Sequence, residues 1–173
     1  MHSKNYISKA VVLIAAALLF SSFDILDIRY EKRYSRVIHK SITKIFNNSN
    51  FLIEELIELE ESCYIIKQND SLLGYLVVSE APSMFHKFDY YIIFNSEAEI
   101  LRVEVLEYRE NYGAEICGQR WLRRFINMPT DNYAKYNRSI DGISGATISV
   151  NSIKANVFRI NNLLKQVVLE KND

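Results

Sequence analysis

The 173-residue chain is poor in the residues that build special sites, with five Gly, two Pro, two Cys, one Trp and three His. Cys63 and Cys117 lie far apart and neither belongs to a CxxC pair. That excludes a structural zinc site, a haem-attachment box or an iron–sulfur cluster supplied by this chain alone. Scarce Gly and Pro beside 49% hydrophobic residues exclude a collagen-like or disordered chain. An excess of one charge is also missing, because 21 Lys and Arg balance 21 Asp and Glu. No global field therefore draws the protein to nucleic acid, which is not an expected partner. Neither a GxGxxG fingerprint nor a P-loop is present.

What is there begins with a signal-type segment. Lys4 and Lys9 precede Ala10 to Phe23 (AVVLIAAALLFSSF), a run without charge that ends at Asp24. As a helix it covers roughly 21 Å at about 1.5 Å per residue, less than the ~30 Å hydrocarbon layer, so a cleaved signal and a short anchor both fit its length. Phe20 and Phe23 spoil the small-residue frames around Ser21 and Ser22. We therefore read a retained anchor over 1–27, with the basic end in the cytoplasm and the rest beyond a bacterial inner membrane. In that compartment a Cys63–Cys117 disulfide becomes possible, with two free buried thiols as the alternative.

The remainder has the size of one domain. Ile28 to Lys44, rich in Arg, Lys and Tyr, is read as a juxtamembrane stalk, helical and continuing toward Phe46, and Phe51 to Leu59 (FLIEELIEL) as a short amphipathic helix, so 28–59 leads away from the membrane. From Cys63 the period changes to that of strands. Two hairpins are predicted, CYIIK with LLGYLVV around Gln68-Asn69-Asp70, and YYIIF with ILRVEVL around Asn95-Ser96-Glu97. Glu115 to Phe125 reads as a helix burying Ile116, Trp121, Leu122 and Phe125, with Arg120, Arg123 and Arg124 outward. The last helix is marked by Val150, Ile153, Val157, Ile160, Leu164 and Val167 at steps of three and four. The expected fold class is α+β, an antiparallel sheet with packed helices behind one N-terminal membrane helix or signal segment.

Chemistry concentrates just before that last helix, in Asp141-Gly142-Ile143-Ser144-Gly145-Ala146-Thr147-Ile148-Ser149. Gly145 permits close approach of a ligand to backbone, and Ser149 or Thr147 could cap the helix, whose first amides form an anion site. The spelling of Asp141, Ser144, Gly145, Ala146 and Thr147 resembles the signature of the FMN-binding domain family. That family includes the C and G subunits of sodium-pumping quinone reductases and of the related Rnf complexes. Leu73-Gly74-Tyr75 is similar to the family's early glycine-tyrosine strand, and Ile100 to Glu110 to the strand leading to its Glu. Glu110 and Gly113 align in the following loop, where the Pro and second Gly of the family's Thr-Pro-Gly-Leu-Gly are missing. The resemblance covers about residues 60 to 165 and makes 60–173 the FMN-binding domain.

The resemblance implies FMN joined to Thr147 through a phosphoester, with Ser144, Gly145, Ala146, Asp141, Glu110 and Gly113 as further cofactor-binding positions. No His follows His86, so no base for Thr147 is in reach along the sequence. The implied source of activation is the family's magnesium-requiring flavin transferase. Asp141 either positions the turn or presents a carboxylate to that enzyme. Tyr112, Trp121 and Tyr75 are candidates to lie near the isoalloxazine, with core packing as the alternative for each. The chain is expected to be an electron carrier more than a stand-alone enzyme, served by redox partner proteins or a membrane electron-transport complex. An anchored adaptor of the same fold without flavin, and an extracytoplasmic flavin reductase, are the other readings.

Overall fold

The computed structural model describes residues 32–56, 62–126 and 132–172. The apolar run at 10–23 lies outside them, and among the described residues no helix is long and apolar enough to cross a membrane. Five antiparallel strands form one sheet in sequence order: β1 (Leu52–Leu56), β2 (Ser62–Gln68), β3 (Ser71–Pro82), β4 (Lys87–Asn95) and β5 (Ile100–Glu107). The α+β class and the antiparallel sheet are as expected.

Both predicted hairpins form. Gln68 pairs with Ser71, so Asn69 and Asp70 alone make the β2–β3 turn, both at positive φ (46° and 65°). Two positive-φ residues match the twist of a two-residue hairpin, and Asn and Asp tolerate that backbone better than most residues. In the β4–β5 turn, Asn95 Oδ1 accepts from the amides of Glu97 and Glu99 at 3.0 and 2.8 Å.

Alternation along β4 divides two cores. Phe88, Tyr90, Ile92 and Phe94 enter the cluster with Ile153, Val157, Ile160 and Leu164 of α4 (Thr147–Asn172). Tyr91 and Ile93 enter a second cluster with Tyr34, Ile38 and Ile42 of α1 (Lys32–Phe46). The sheet is thus covered on both faces, and period 2 in the strand meets period 3.6 in each helix.

This corrects the expected stalk over the described part of 28–59. The stripe Tyr34, Ile38 and Ile42 steps by four and lies buried on the sheet, while Arg36, Lys40 and Lys44 are exposed on the other side. Two tyrosines join the layers: the Tyr34 hydroxyl lies within hydrogen-bond reach of the Asp89 (2.8 Å) and Glu107 (2.9 Å) carboxylates, and the Tyr91 hydroxyl contacts Ser41 (2.7 Å) and donates to Glu104 (2.6 Å). Burial and the adjoining carboxylates push both phenols well above their ordinary pKa. The helix expected over Phe51–Leu59 is, where described, the edge strand β1, with Glu55 paired to Tyr64 and Leu56 to Cys63. Cross-strand pairing outweighs a leucine spacing that a short helix would share.

Glu115–Phe125 is not one helix either. A 3-10 turn (Ala114–Cys117), α2 (Gln119–Leu122) and a second 3-10 turn (Arg123–Phe125) follow one another, because Gly118 is extended (φ −73°, ψ 124°) and breaks the run. The burial pattern holds regardless, with Ile116, Trp121, Leu122 and Phe125 inside and the three arginines exposed. A further helix, α3 (Tyr133–Ser139), was not expected; the Asn132 side chain caps it by accepting from the Lys135 amide. The possible Cys63–Cys117 disulfide is not formed, with Cys63 buried and Cys117 exposed.

If α1 is part of the fold, Ile38→Ala should destabilise the protein by about 2–5 kcal/mol, the usual loss for a buried Ile truncated to Ala. Chemical denaturation of the full chain followed by far-UV circular dichroism measures this, and a helix standing off the sheet would leave the midpoint unchanged.

Candidate functional site

Residues 140–146 lead into α4 through contacts that fix each corner. Lys154, itself 5% exposed on α4, donates from Nζ to the Ile140 carbonyl at 2.9 Å. Burial lowers its pKa, with Asp141 opposing. The Trp121 indole donates to the Asp141 carbonyl at 3.0 Å, and the Asp141 carboxylate pairs with Arg124 at 2.7 Å. Asp141 therefore holds the turn to the α2 segment. Trp121 and Tyr75 are core residues.

The turn itself closes when the Ala146 amide donates to the Ile143 carbonyl at 3.1 Å, with Gly145 at φ +77° in its third position. That is the place in a type II turn where a residue without Cβ is favoured. Val150 then donates to the Ala146 carbonyl (2.9 Å), which puts Ala146 at the N-cap and Thr147 first in the helix. Neither Thr147 nor Ser149 is the cap, because the glycine turn ends one residue too early. Ser149 is buried and its hydroxyl meets that of Tyr108 at 3.0 Å. Ala146 has no side-chain acceptor, so it leaves the first-turn amides of a 26-residue helix without an N-cap partner, and no acidic residue stands in that turn.

Gly113, also left-handed at φ +78°, supports this turn from outside. A Cβ there would fall 2.3 Å from the Ala146 Cβ. The loop after β5 and the start of α4 are therefore as close as backbone permits.

Around Thr147 opens a cleft of about 240 Å³ lined by Glu110, Tyr112, Gly145, Ala146 and Ile148, with Met84, Phe85, Tyr108 and Ser149 completing it. Of the predicted site residues, Thr147, Gly145, Ala146 and Glu110 meet there, and Gly113 lies behind Ala146. Ser144 is exposed on the turn and Asp141 faces Arg124, so neither lines the cleft. Glu110 is occupied: its Oε1 accepts from the Ser83 hydroxyl (2.5 Å) and from the amides of Phe85 (2.8 Å) and His86 (3.0 Å). Those donors, Ser83 first, hold its carboxyl below the usual pKa.

Two apolar side chains that the sequence did not single out for the site, Met84 and Phe85, belong to it beside Tyr112. Met84, Phe85 and Tyr112 are 68%, 76% and 78% exposed, more than any other large hydrophobic side chain among the described residues, and Ile148 joins them. Tyr112, a candidate for the ring, is thus not a core residue. Met84 and Phe85 carried no local signal, since only the fold of the β3–β4 turn brings them to Thr147.

An uncapped helix start, a left-handed glycine beside it and an open apolar wall suit a ligand with one anionic and one flat apolar part. Comparison with protein families agrees: residues 86–160 match the model of the FMN-binding domain, from the end of the β3–β4 turn into α4. The matched stretch, under half of the chain, is similar to that domain, and the match supports binding of FMN. No curated protein matches the chain.

The glycines around the turn give a graded test. Gly113→Ala should cost clearly more than the roughly 1–2 kcal/mol of a left-handed backbone, because its methyl also meets Ala146. Gly145→Ala, with only Tyr112 Cβ at 3.7 Å, should cost that backbone amount alone, and Gly142→Ala, with nothing within 4 Å, should be near neutral. Thermal denaturation of the three variants reads the order.

Proposed function

We propose that the protein is a membrane-anchored, extracytoplasmic electron-transfer protein whose FMN is bound covalently, by a phosphoester to Thr147. The observation that carries this reading is one placement. The exposed Thr147 hydroxyl stands at the head of an uncapped helix, within a cleft whose walls are the most exposed apolar side chains of the described surface.

Each residue has a part. The first amides of α4 and its dipole favour a phosphate at Thr147, and the lack of acid in that turn removes repulsion. Gly145 keeps side-chain bulk away from the approach, and Gly113 behind Ala146 lets the loop after β5 close against the turn. Phe85, Tyr112, Met84 and Ile148 offer apolar contact to a flat ring. When bound, the isoalloxazine supplies the redox chemistry, and the protein supplies orientation and solvent control.

The cleft lining contains neither His nor Lys, and the Glu110 Oε1 is spent on the turn it holds, so Thr147 has no ready base in its own chain. This supports attachment by a flavin transferase. The threonine oxygen bonds to the FMN phosphorus of FAD, the bond to the AMP phosphate breaks, AMP leaves, and the hydroxyl proton goes to the transferase's base. A cleft of about 240 Å³ is smaller than the ~300–1,000 Å³ of pockets that enclose a ligand. A ligand tethered in so small a cleft would stay partly open to solvent, which would suit exchange of electrons with partner proteins. The anchor rests on the apolar sequence Ala10–Phe23 and its preceding lysines.

Coexpression with a flavin transferase, followed by a denaturing gel, should give a fluorescent wild-type band and a dark Thr147→Ala band of equal protein stain. Peptide mass spectrometry should place the added mass at Thr147. A labelled Thr147→Ala protein, or an unlabelled wild type in cells that flavinylate another target, would overturn the reading.

A further inference from the structure

We propose that Glu110 is a positioning residue of the FMN cleft, which acts by clamping the Ser83–His86 turn so that Met84 and Phe85 stand as one wall of the site. The inference rests on the reading of this cleft as the flavin site and goes beyond it. It assigns the acid at this position a task on protein, not on cofactor.

The geometry is specific. The turn between β3 and β4 closes on itself when the Ser83 amide donates to the His86 carbonyl at 2.8 Å. This leaves the amides of Phe85 and His86 pointing out of the turn, and both end on Glu110 Oε1. The hydroxyl of Ser83, a 9% exposed residue, adds a third bond to the same oxygen. The Ser83 Oγ also lies 2.7 Å from the His86 carbonyl, but it has one hydrogen, and the charged acceptor at 2.5 Å takes it. Three donors from a stretch of four residues thus converge on one carboxylate oxygen from a different loop.

The consequence lies between the donors. Met84 and Phe85 are largely exposed and bury little surface of their own, so packing of these two side chains does little to hold the turn in place. Its orientation depends on hydrogen bonds, and all three that leave it for the opposite loop end on Glu110. Without that acceptor the backbone of Phe85 and His86 turns to water, and the apolar wall loses its fixed place beside Thr147.

Two measurements test the clamp. In flavin-free full-length protein, Glu110→Ala should raise hydrogen exchange at the Phe85 and His86 amides by about tenfold or more, the scale of a lost bond to a charged acceptor. Exchange in β2 should stay unchanged, and Glu110→Gln, which retains an acceptor oxygen, should keep most of the protection. In the flavin-loaded protein, Glu110→Ala should increase fluorescence relative to wild type. Phe85→Ala should do the same, and the double variant should add nothing further. Unchanged exchange at both amides in Glu110→Ala overturns the clamp, and unchanged flavin fluorescence despite faster exchange overturns the wall. A wild type that takes no flavin refutes the covalent reading instead, and the exchange experiment still decides the clamp.

Discussion

The site depends on one constraint, the fixed position of the first turn of α4 above the sheet. The apolar stripe from Val150 to Leu164 sets the distance of the helix from the strands, but a stripe alone lets a helix slide along its axis. Polar contacts set the axial position. Ser152 donates to the Pro82 carbonyl at 2.6 Å and Asn156 to Glu80 at 3.1 Å, both on β3, and Asn161 donates to Ala98 at 2.9 Å in the β4–β5 turn. Each bond ends on backbone, so the helix is registered to the sheet independently of the side chains that face it. Lys154 performs the same task toward the incoming loop, at the cost of a buried ammonium that a carbonyl and the nearby Asp141 only partly compensate.

With α4 fixed, the opposite wall has to meet it. Gly113 does so by bringing the loop after β5 against Ala146, closer than any residue with a Cβ allows. Glu110, three residues earlier, extends the contact to the β3–β4 turn. Three segments distant in sequence, near 84, 112 and 147, thereby border one small cleft. The polar part of that cleft is made of backbone at the start of α4, and its apolar part of side chains left exposed. Such a division suits a ligand held by its phosphate and resting on its ring. It also fits that the acid lining the cleft, Glu110, is occupied by donors, and that Asp141 on the turn outside it is paired with Arg124, leaving less free negative charge to oppose an anion.

Much of this was legible in the sequence, and the physical reason differs by element. The two hairpins and α4 declare themselves by period, because alternation and three-to-four spacing extend over enough residues to exclude each other. The turn at Gly145 is legible from composition, since small residues and hydroxyls before a long helix have few other uses. In contrast β1 is five residues long, and Leu52 with Leu56 fits a helix as well as a strand. Only pairing with β2, which places Glu54 beside Lys67 at 2.5 Å, decides it. The stripe of α1 is present in Tyr34, Ile38 and Ile42, yet the charges between them read equally well as a solvated stalk, and the sheet face that selects the buried side is built from strands further along the chain.

The apolar wall was the least legible part, and the reason is general. A core residue leaves a periodic trace because its neighbours along the same element are buried with it. Met84 and Phe85 lie in a four-residue connection, exposed, with no period to betray them. Their role follows only from Glu110, which is 24 to 27 residues away from the donors it gathers. A carboxylate after a strand has many uses, and an exposed Phe in a turn has several. The two together, joined through the backbone amide of the aromatic residue itself, have far fewer. Function here is written in a long-range hydrogen bond, and such a bond can be read only after the sheet has brought its ends together.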